Sequence, residues 1–266
     1  MALTVKTFAA VSDALPALQA VGARYLGGGT LLVRRVNEGD ISISTLVRVS
    51  GPSLSRIAVS DGRAIIGASA TMAAVARHPD LAFLRPAAHA IGGPAVRNMA
   101  TVGGNIFAPA PYGDFAVALL ALDAAAEIAG KPITLADLIE HRKQNGGRIV
   151  TAVSLALPKP GAFRFVKITR VKPNGLAVLT IAAVIEERDG VVSAIRIALG
   201  NMADRPIRAR AAEAALVGRP LTREGIRPAL AVAGDGTAPA DDAVASAWYR
   251  REVLPVHLGR LLLAKG

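Results

Sequence analysis

The sequence predicts an α+β chain in two parts: an N-terminal domain built in two pieces, then a C-terminal domain of a three-stranded antiparallel sheet with a helical layer. Three observations carry this. Up to about residue 157, short strand-like runs alternate with short helical ones. Pro158-Lys159-Pro160-Gly161 is the sharpest break in the chain. Beyond it come three strand-like runs, two of them joined at Asp189-Gly190, and after those only helical patterns. The expected domains are 1–158, with subdomains of about 1–52 and 53–158, and 162–266.

Taken in order, residues 1–10 alternate loosely around Val5 and Phe8 and suggest an edge strand. Residues 13–21 read as a helix capped by Ser12 or Asp13, with Pro16 in its first turn. Residues 23–26 form a strand, 31–36 a helix and 45–49 a strand. Residues 56–67 read as a hairpin turning at Asp61-Gly62, because both turn positions favour positive φ. Helices follow over 71–77 and 81–91, the second bent or split by Pro86. Residues 114–122 are a helix. Residues 134–141 are a helix with Thr134 as its cap. Strands are expected over 149–157, 163–171, 176–187 and 191–199; residues 176–185 are almost wholly apolar, so that strand is central and buried. Helices close the chain over 207–217, 222–233 and from Asp241 or Asp242 to Leu263, with Pro255 kinking or breaking the last and Trp248 and Tyr249 packing on it.

Chemistry concentrates at two glycine-rich stretches. Residues 91–114, IGGPAVRNMATVGGNIFAPAPYGD, hold five of the 26 glycines and three of the 16 prolines, and helical periodicity stops there. A Gly-Gly step between Thr101 and Asn105 lets main-chain N–H groups converge without Cβ interference, as phosphate binding requires. Arg97 and Asn98 either touch such a ligand or brace the loop from behind. Asp114 either caps the helix that follows or accepts hydroxyl hydrogen bonds. Upstream, Leu26-Gly27-Gly28-Gly29-Thr30-Leu31 forms a second glycine turn between a strand and a helix. Each turn alone is compatible with a plain surface turn. Neither is a G-x-G-x-x-G fingerprint or a P-loop.

Composition removes several function classes. With 266 residues of which 52% are hydrophobic, the chain can bury a core and is not disordered. It has no cysteine, which excludes disulfides, thiolate nucleophiles and iron–sulfur ligation by this chain. The four histidines are isolated from each other and from carboxylate clusters, so a metal site is not expected. The net charge of +11 invites a nucleic-acid reading. The arginines are scattered, however, and aromatics are only 4%, so no nucleic acid is expected. No apolar run reaches a membrane span, and the N-terminus lacks a secretory pattern; a cytoplasmic location is the expectation.

GGGTLL (27–32) and RNMATVGGNIFAPAPYGD (97–114) together resemble the FAD-binding medium subunit of the molybdenum hydroxylases, which include xanthine dehydrogenase and carbon monoxide dehydrogenase. The resemblance continues through LLALDA (119–124), KITRVKPNGLAVLTIAA (167–183) and IALGNMADRPIRA (197–209). It implies an FAD domain of the p-cresol methylhydroxylase type and a small C-terminal domain that closes over the flavin. It also implies FAD contacts from Leu26, Gly27, Gly28, Gly29, Thr30 and Leu31, and from Thr101, Gly103, Gly104 and Asn105, at the pyrophosphate. Asp114 is implied at the ribityl chain and Lys167 near the flavin, where the bland alternative is an exposed strand lysine; Arg170 is a weaker candidate of the same kind. The chain departs from the family at Leu31, Gly113 and Gly175, where relatives carry polar residues, and its residues 123–133 are short for the strand and hairpin that the family usually carries there.

The function implied is electron transfer. FAD is held non-covalently and takes electrons from [2Fe–2S] clusters on a small partner subunit. Substrate is oxidised at molybdopterin on a large one, and an external acceptor receives the electrons. The assembly implied is a dimer of heterotrimers, with no catalytic acid or base in this chain. Two alternatives stand beside it: a stand-alone FAD-dependent oxidoreductase of the same fold, and an assembly or scaffold subunit that has lost FAD.

Overall fold

The computed structural model describes residues 3–141, 147–173 and 175–264. Packing divides the chain into two compact units, Met1–Ala108 with Ala125–Leu155, and Pro109–Ala124 with Ala156–Gly266.

The first unit begins with a parallel three-stranded sheet. Strands β1 (Thr4–Phe8), β2 (Ala23–Tyr25) and β3 (Thr45–Val49) lie in the order β1-β3-β2, in register Thr4↔Thr45 and Ala23↔Thr45. Parallel neighbours need crossovers, and helices α1 (Val11–Leu18) and α2 (Leu32–Asn37) lie in them. Ala14 and Leu18 of α1 pack with Ala23, Val47 and Val49 in a shared core. Helix α1 starts two residues earlier than its sequence suggests, after Ala10 and with no side-chain cap. The Ser12 hydroxyl donates to Asp13 instead.

A five-stranded sheet forms the rest of this unit. Strands β4 (Ile57–Ser60) and β5 (Arg63–Gly67) turn at Asp61-Gly62, whose φ values are 50° and 70°, as that dipeptide requires. Thr71 caps α3 (Met72–Arg77) through its hydroxyl. The expected helix over 81–91 is split: a 3-10 helix over Pro79–Leu84 gives way to α4 (Arg85–His89), with Pro86 in the first turn of the latter. Two helices missing from the sequence reading lie inside the glycine-rich stretch, α5 (Pro94–Met99) and α6 (Val102–Ile106). Helix α7 (Asp114–Ala121) belongs to the second unit. Strands β6 (Ala125–Ile128) and β7 (Lys131–Thr134) are a hairpin, in the run that is short beside the strand and hairpin of the family. Its turn places Ala129 and Gly130 at φ 51° and 74°; the glycine is a turn residue, the alanine is not. Thr134 caps α8 (Leu135–Glu140), as expected. With β8 (Val150–Ala156) the sheet order is β4-β5-β8-β6-β7.

The second unit holds an antiparallel sheet in the order β12-β11-β10-β9: β9 (Phe163–Thr169), β10 (Ala177–Arg188), β11 (Val191–Gly200) and β12 (Ile207–Arg208). Three strands were expected. The fourth is a two-residue strand that takes residues assigned to the next helix, because Ile207 pairs with Leu199. Strand β10 is central and buried along Ala177–Ile185. Alternate residues serve opposite faces. Leu179, Ile181, Ala183 and Ile185 join a core with α9 (Arg210–Leu216), α10 (Arg223–Ala231) and α11 (Ala247–Leu263). Thr180 faces the other way, towards α7. Pro255 does not break α11, which is continuous from Ala247 to Leu263. Arg251, whose carbonyl loses its intrahelical donor, is exposed, so water can serve it. Helix α11 starts at Ala247, later than expected, because Asp241 and Asp242 accept main-chain N–H groups ahead of it. Trp248 and Tyr249 sit exposed on its first turn and do not pack on it.

Candidate functional site

In the first unit the two glycine turns lie against each other. A Cβ on Gly28 would stand 1.7 Å from the Met99 carbonyl oxygen, and one on Gly27 would stand 2.9 Å from Thr101 Oγ1. No side chain fits at Gly28. The approach is possible only because Gly27 and Gly28 are bare where the Met99 carbonyl and the Thr101 hydroxyl come up to them.

The turns differ in what they offer a ligand. Leu26 donates its N–H to Val47 and is tied to the sheet. From Gly27 to Leu31 the direction changes, with Gly29 at φ 75°. Among the described residues, no protein acceptor meets the N–H groups of Gly27, Gly28, Gly29, Thr30 or Leu31. All five residues are half-buried. A run of unpaired donors bending around a positive-φ glycine is an anion-binding concavity. Beneath it, burial pushes the Tyr25 phenol up, against opposing effects of a Ser69 hydrogen bond and the Arg48 charge.

The second turn has spent its donors. Val102 N–H binds Ala70, Gly103 N–H binds Ala68, and Asn105 N–H binds Thr101, all at carbonyl oxygens. Gly104 N–H binds Thr101 Oγ1 at 3.1 Å, which caps α6. Thr101 and Asn105 are buried. The sequence expects Thr101, Gly103, Gly104 and Asn105 to form a second donor loop. What the structure places there is a wall, with the Thr101 hydroxyl, which accepts from Gly104, on the Gly27 side. Arg97 donates to the carbonyls of Gly92, His89 and Ile91, so it braces the glycine stretch from behind. Asn98 is exposed.

In the second unit Asp114 is the first residue of α7 and not its cap; Gly113 caps the helix at φ 92°. The carboxylate turns to the sheet. Oδ1 accepts from Thr180 Oγ1 at 2.5 Å, and Oδ2 pairs with Lys167 Nζ at 2.8 Å. Side-chain exposures of 7% and 13% make this a buried ion pair, so Lys167 is not a solvated strand lysine. Sequence reasoning missed Thr180. Its signal was visible: one hydroxyl in the otherwise apolar Ala177–Ile185. A cavity of about 10 Å³, room for one water, adjoins Asp114, Tyr112, Gly200 and Arg205. Arg170 is exposed and donates to the Val244 carbonyl. At Gly175 a Cβ would fall 2.2 Å from the Val171 carbonyl oxygen, so the departure from the family carries its own backbone geometry.

Elsewhere in that unit, Arg250 is buried and donates to Val178 and to both Asp242 oxygens. Burial would raise the Asp242 carboxyl, but the Ala245 N–H and Arg250 bonds prevail and hold it low. Among the described residues no group of His, Asp and Glu is arranged to hold a metal, and no helix is long and apolar enough to cross a membrane.

The sequence and the fold match known proteins. Residues 3–159 match the family model described as the FAD binding domain in molybdopterin dehydrogenase, and residues 164–264 match the CO dehydrogenase flavoprotein C-terminal domain. The carbon monoxide dehydrogenase medium chain of Afipia carboxidovorans is 28% identical over 271 residues, which are 94% of this chain and 92% of the relative. The glyceraldehyde dehydrogenase medium chain of Sulfolobus acidocaldarius is 27% identical over 181 residues, 65% of this chain; the match spans 64% of that relative, less than two thirds. A crystal structure of carbon monoxide dehydrogenase from Hydrogenophaga pseudoflava, lacking the Mo-pyranopterin moiety of its molybdenum cofactor, superposes with a TM-score of 0.89. There the identity is 25%, with 100% of this chain and 97% of that one covered. The chain therefore belongs to the family of the FAD binding domain in molybdopterin dehydrogenase, with a flavoprotein C-terminal domain after it, and is an oxidoreductase subunit of that kind.

Proposed function

We propose that this chain is the FAD-carrying electron-transfer subunit of a heteromeric molybdenum hydroxylase. The observation that carries the reading is the run of five N–H groups, Gly27 to Leu31, left without acceptors among the described residues at a half-buried turn. A hydrogen bond from such a donor to a charged oxygen contributes about 1.5–3 kcal/mol, so a few of them suffice to hold a diphosphate. Leu26 anchors the turn, and Thr101 with Gly103, Gly104 and Asn105 walls it, the Thr101 hydroxyl adding a donor. Asp114 and Lys167 are the FAD contacts proposed on the second unit, at the ribityl chain and the flavin.

When bound, FAD supplies the redox chemistry, taking electrons from [2Fe–2S] clusters of a small partner and passing them to an external acceptor. The protein residues bind, orient and bias it; none is needed as an acid or base. Molybdopterin belongs to a large partner, in a dimer of heterotrimers. The domains we propose are 1–158, of the p-cresol methylhydroxylase type, and 162–266; the two family matches support that division.

The test is direct. The folded full chain is titrated with FAD, following quenching of flavin fluorescence, with ADP as a competitor for the diphosphate turn. Saturable uptake at about micromolar FAD or below, displaced by ADP, is expected. A folded chain that takes up no FAD at such concentrations defeats the reading.

A further inference from the structure

We propose that Thr180 is the positioning residue for the Asp114–Lys167 pair, so that the central strand β10, and not helix α7, sets the charge presented to the flavin. The inference rests on the FAD reading above. Its geometry is a row of three residues in register across three strands: Lys167 on β9, Thr180 on β10 and Gly200 on β11 are direct cross-strand partners. All three meet α7. Lys167 pairs with Asp114 Oδ2, and Thr180 donates to Asp114 Oδ1. Gly200 supplies the space: a Cβ there would lie 2.7 Å from Val117 Cγ2 and 3.2 Å from Thr180 Cβ. The bare position lets the first turn of α7 come down onto β10.

Thr180 is fully buried and is the lone polar residue of Ala177–Ile185. A buried hydroxyl costs stability unless it is bonded, and Asp114 is the bond it makes. Its β-branch restricts χ1, so the strand fixes where the hydroxyl points. With Oδ1 held, Oδ2 is aimed at the neighbouring register position, where Lys167 stands. Without it, Asp114 at the start of α7 is free to turn back onto its own helix N–H groups, and the ammonium of Lys167 loses its fixed counter-charge. Thr180 acts through Asp114, so its effect is on orientation and electrostatics.

The experiment is a double-mutant cycle in the full chain with T180V, T180S, D114N and D114N/T180V. The readouts are the FAD dissociation constant and the reduction potential of the bound flavin. Removing a hydrogen bond to a buried charged group is expected to make T180V bind FAD about tenfold more weakly than wild type. Its flavin potential should move as well. T180S should restore both. The double mutant should bind no more weakly than D114N, because the two residues act as one unit. Wild-type affinity and potential in T180V overturn the proposal, and so do losses that simply multiply in the double mutant. If T180V does not fold, G200A replaces it, since it leaves all three polar groups intact but wedges β11 from α7; weaker FAD binding is expected, and unchanged affinity overturns the proposal. A wild-type chain that binds no FAD fails the underlying reading. A wild-type chain that binds it, with T180V indifferent, fails this inference alone.

Discussion

The two glycine turns of the first unit look alike in the sequence, GGGT and TVGGN, and the structure makes them opposites. The turn at 27–31 leaves its N–H groups without acceptors among the described residues; the turn at 101–105 gives Val102, Gly103, Gly104 and Asn105 to protein oxygens. One is a donor surface and the other is the wall that shapes it. Glycine therefore does two jobs here. At 27–31 it exposes main-chain donors, and at Gly103, where a Cβ would meet Ala68 at 3.1 Å, it allows close packing.

The largest expected effect comes from breaking the contact between the turns. G28V puts side-chain atoms where Met99 already stands, at a Cβ distance of 1.7 Å. Overpacking of this kind costs about 1–3 kcal/mol and more when backbone blocks relaxation, so G28V is expected to lower the denaturation midpoint strongly and to abolish FAD uptake. A melt with and without FAD checks it. A smaller effect tests the wall. T101A removes the cap on Gly104 and should cost about 1 kcal/mol of stability. It should weaken FAD binding far less than G28V, because only the Gly104 N–H loses its acceptor while those of Val102, Gly103 and Asn105 stay bonded to main-chain carbonyls. Equal losses in the two variants would erase the distinction between the turns. The smallest effect is the sharpest check on main-chain binding. L31A keeps the Leu31 N–H and deletes only its side chain, so stability should stay within about 0.5 kcal/mol, the usual range for substitutions outside the core. FAD affinity should be unchanged.

Legibility followed the same division. The Asp-Gly hairpins at 61–62 and 189–190 were readable because those dipeptides tolerate positive φ, and the structure has both. The Ala129-Gly130 hairpin was not, because alanine at φ 51° is held by the pairing of β6 with β7 and β8, which lies outside its local sequence. Helices α5 and α6 were hidden by the surrounding glycines, although Pro94 in a first turn and the Thr101 cap are ordinary start signals. Of the kink or break expected at Pro255, the break does not occur, for a tertiary reason: Leu254, Leu258, Leu261 and Leu262 are buried in the core of the second unit, and that burial outweighs one lost hydrogen bond.

The sequence alone determined the residue inventory: where side chains are absent, where one carboxylate and one lysine stand, and that cysteine chemistry is excluded. Those follow from residue type and spacing, which folding does not change. The tertiary structure decided which donors remain unpaired and which charges meet. Whether the N–H of Gly28 or Gly103 is free depends on an acceptor from another element, Ala68 in one case and none in the other. Asp114 faces Thr180 and Lys167 across 66 and 53 residues of chain because a bare Gly200 lets α7 settle on the sheet.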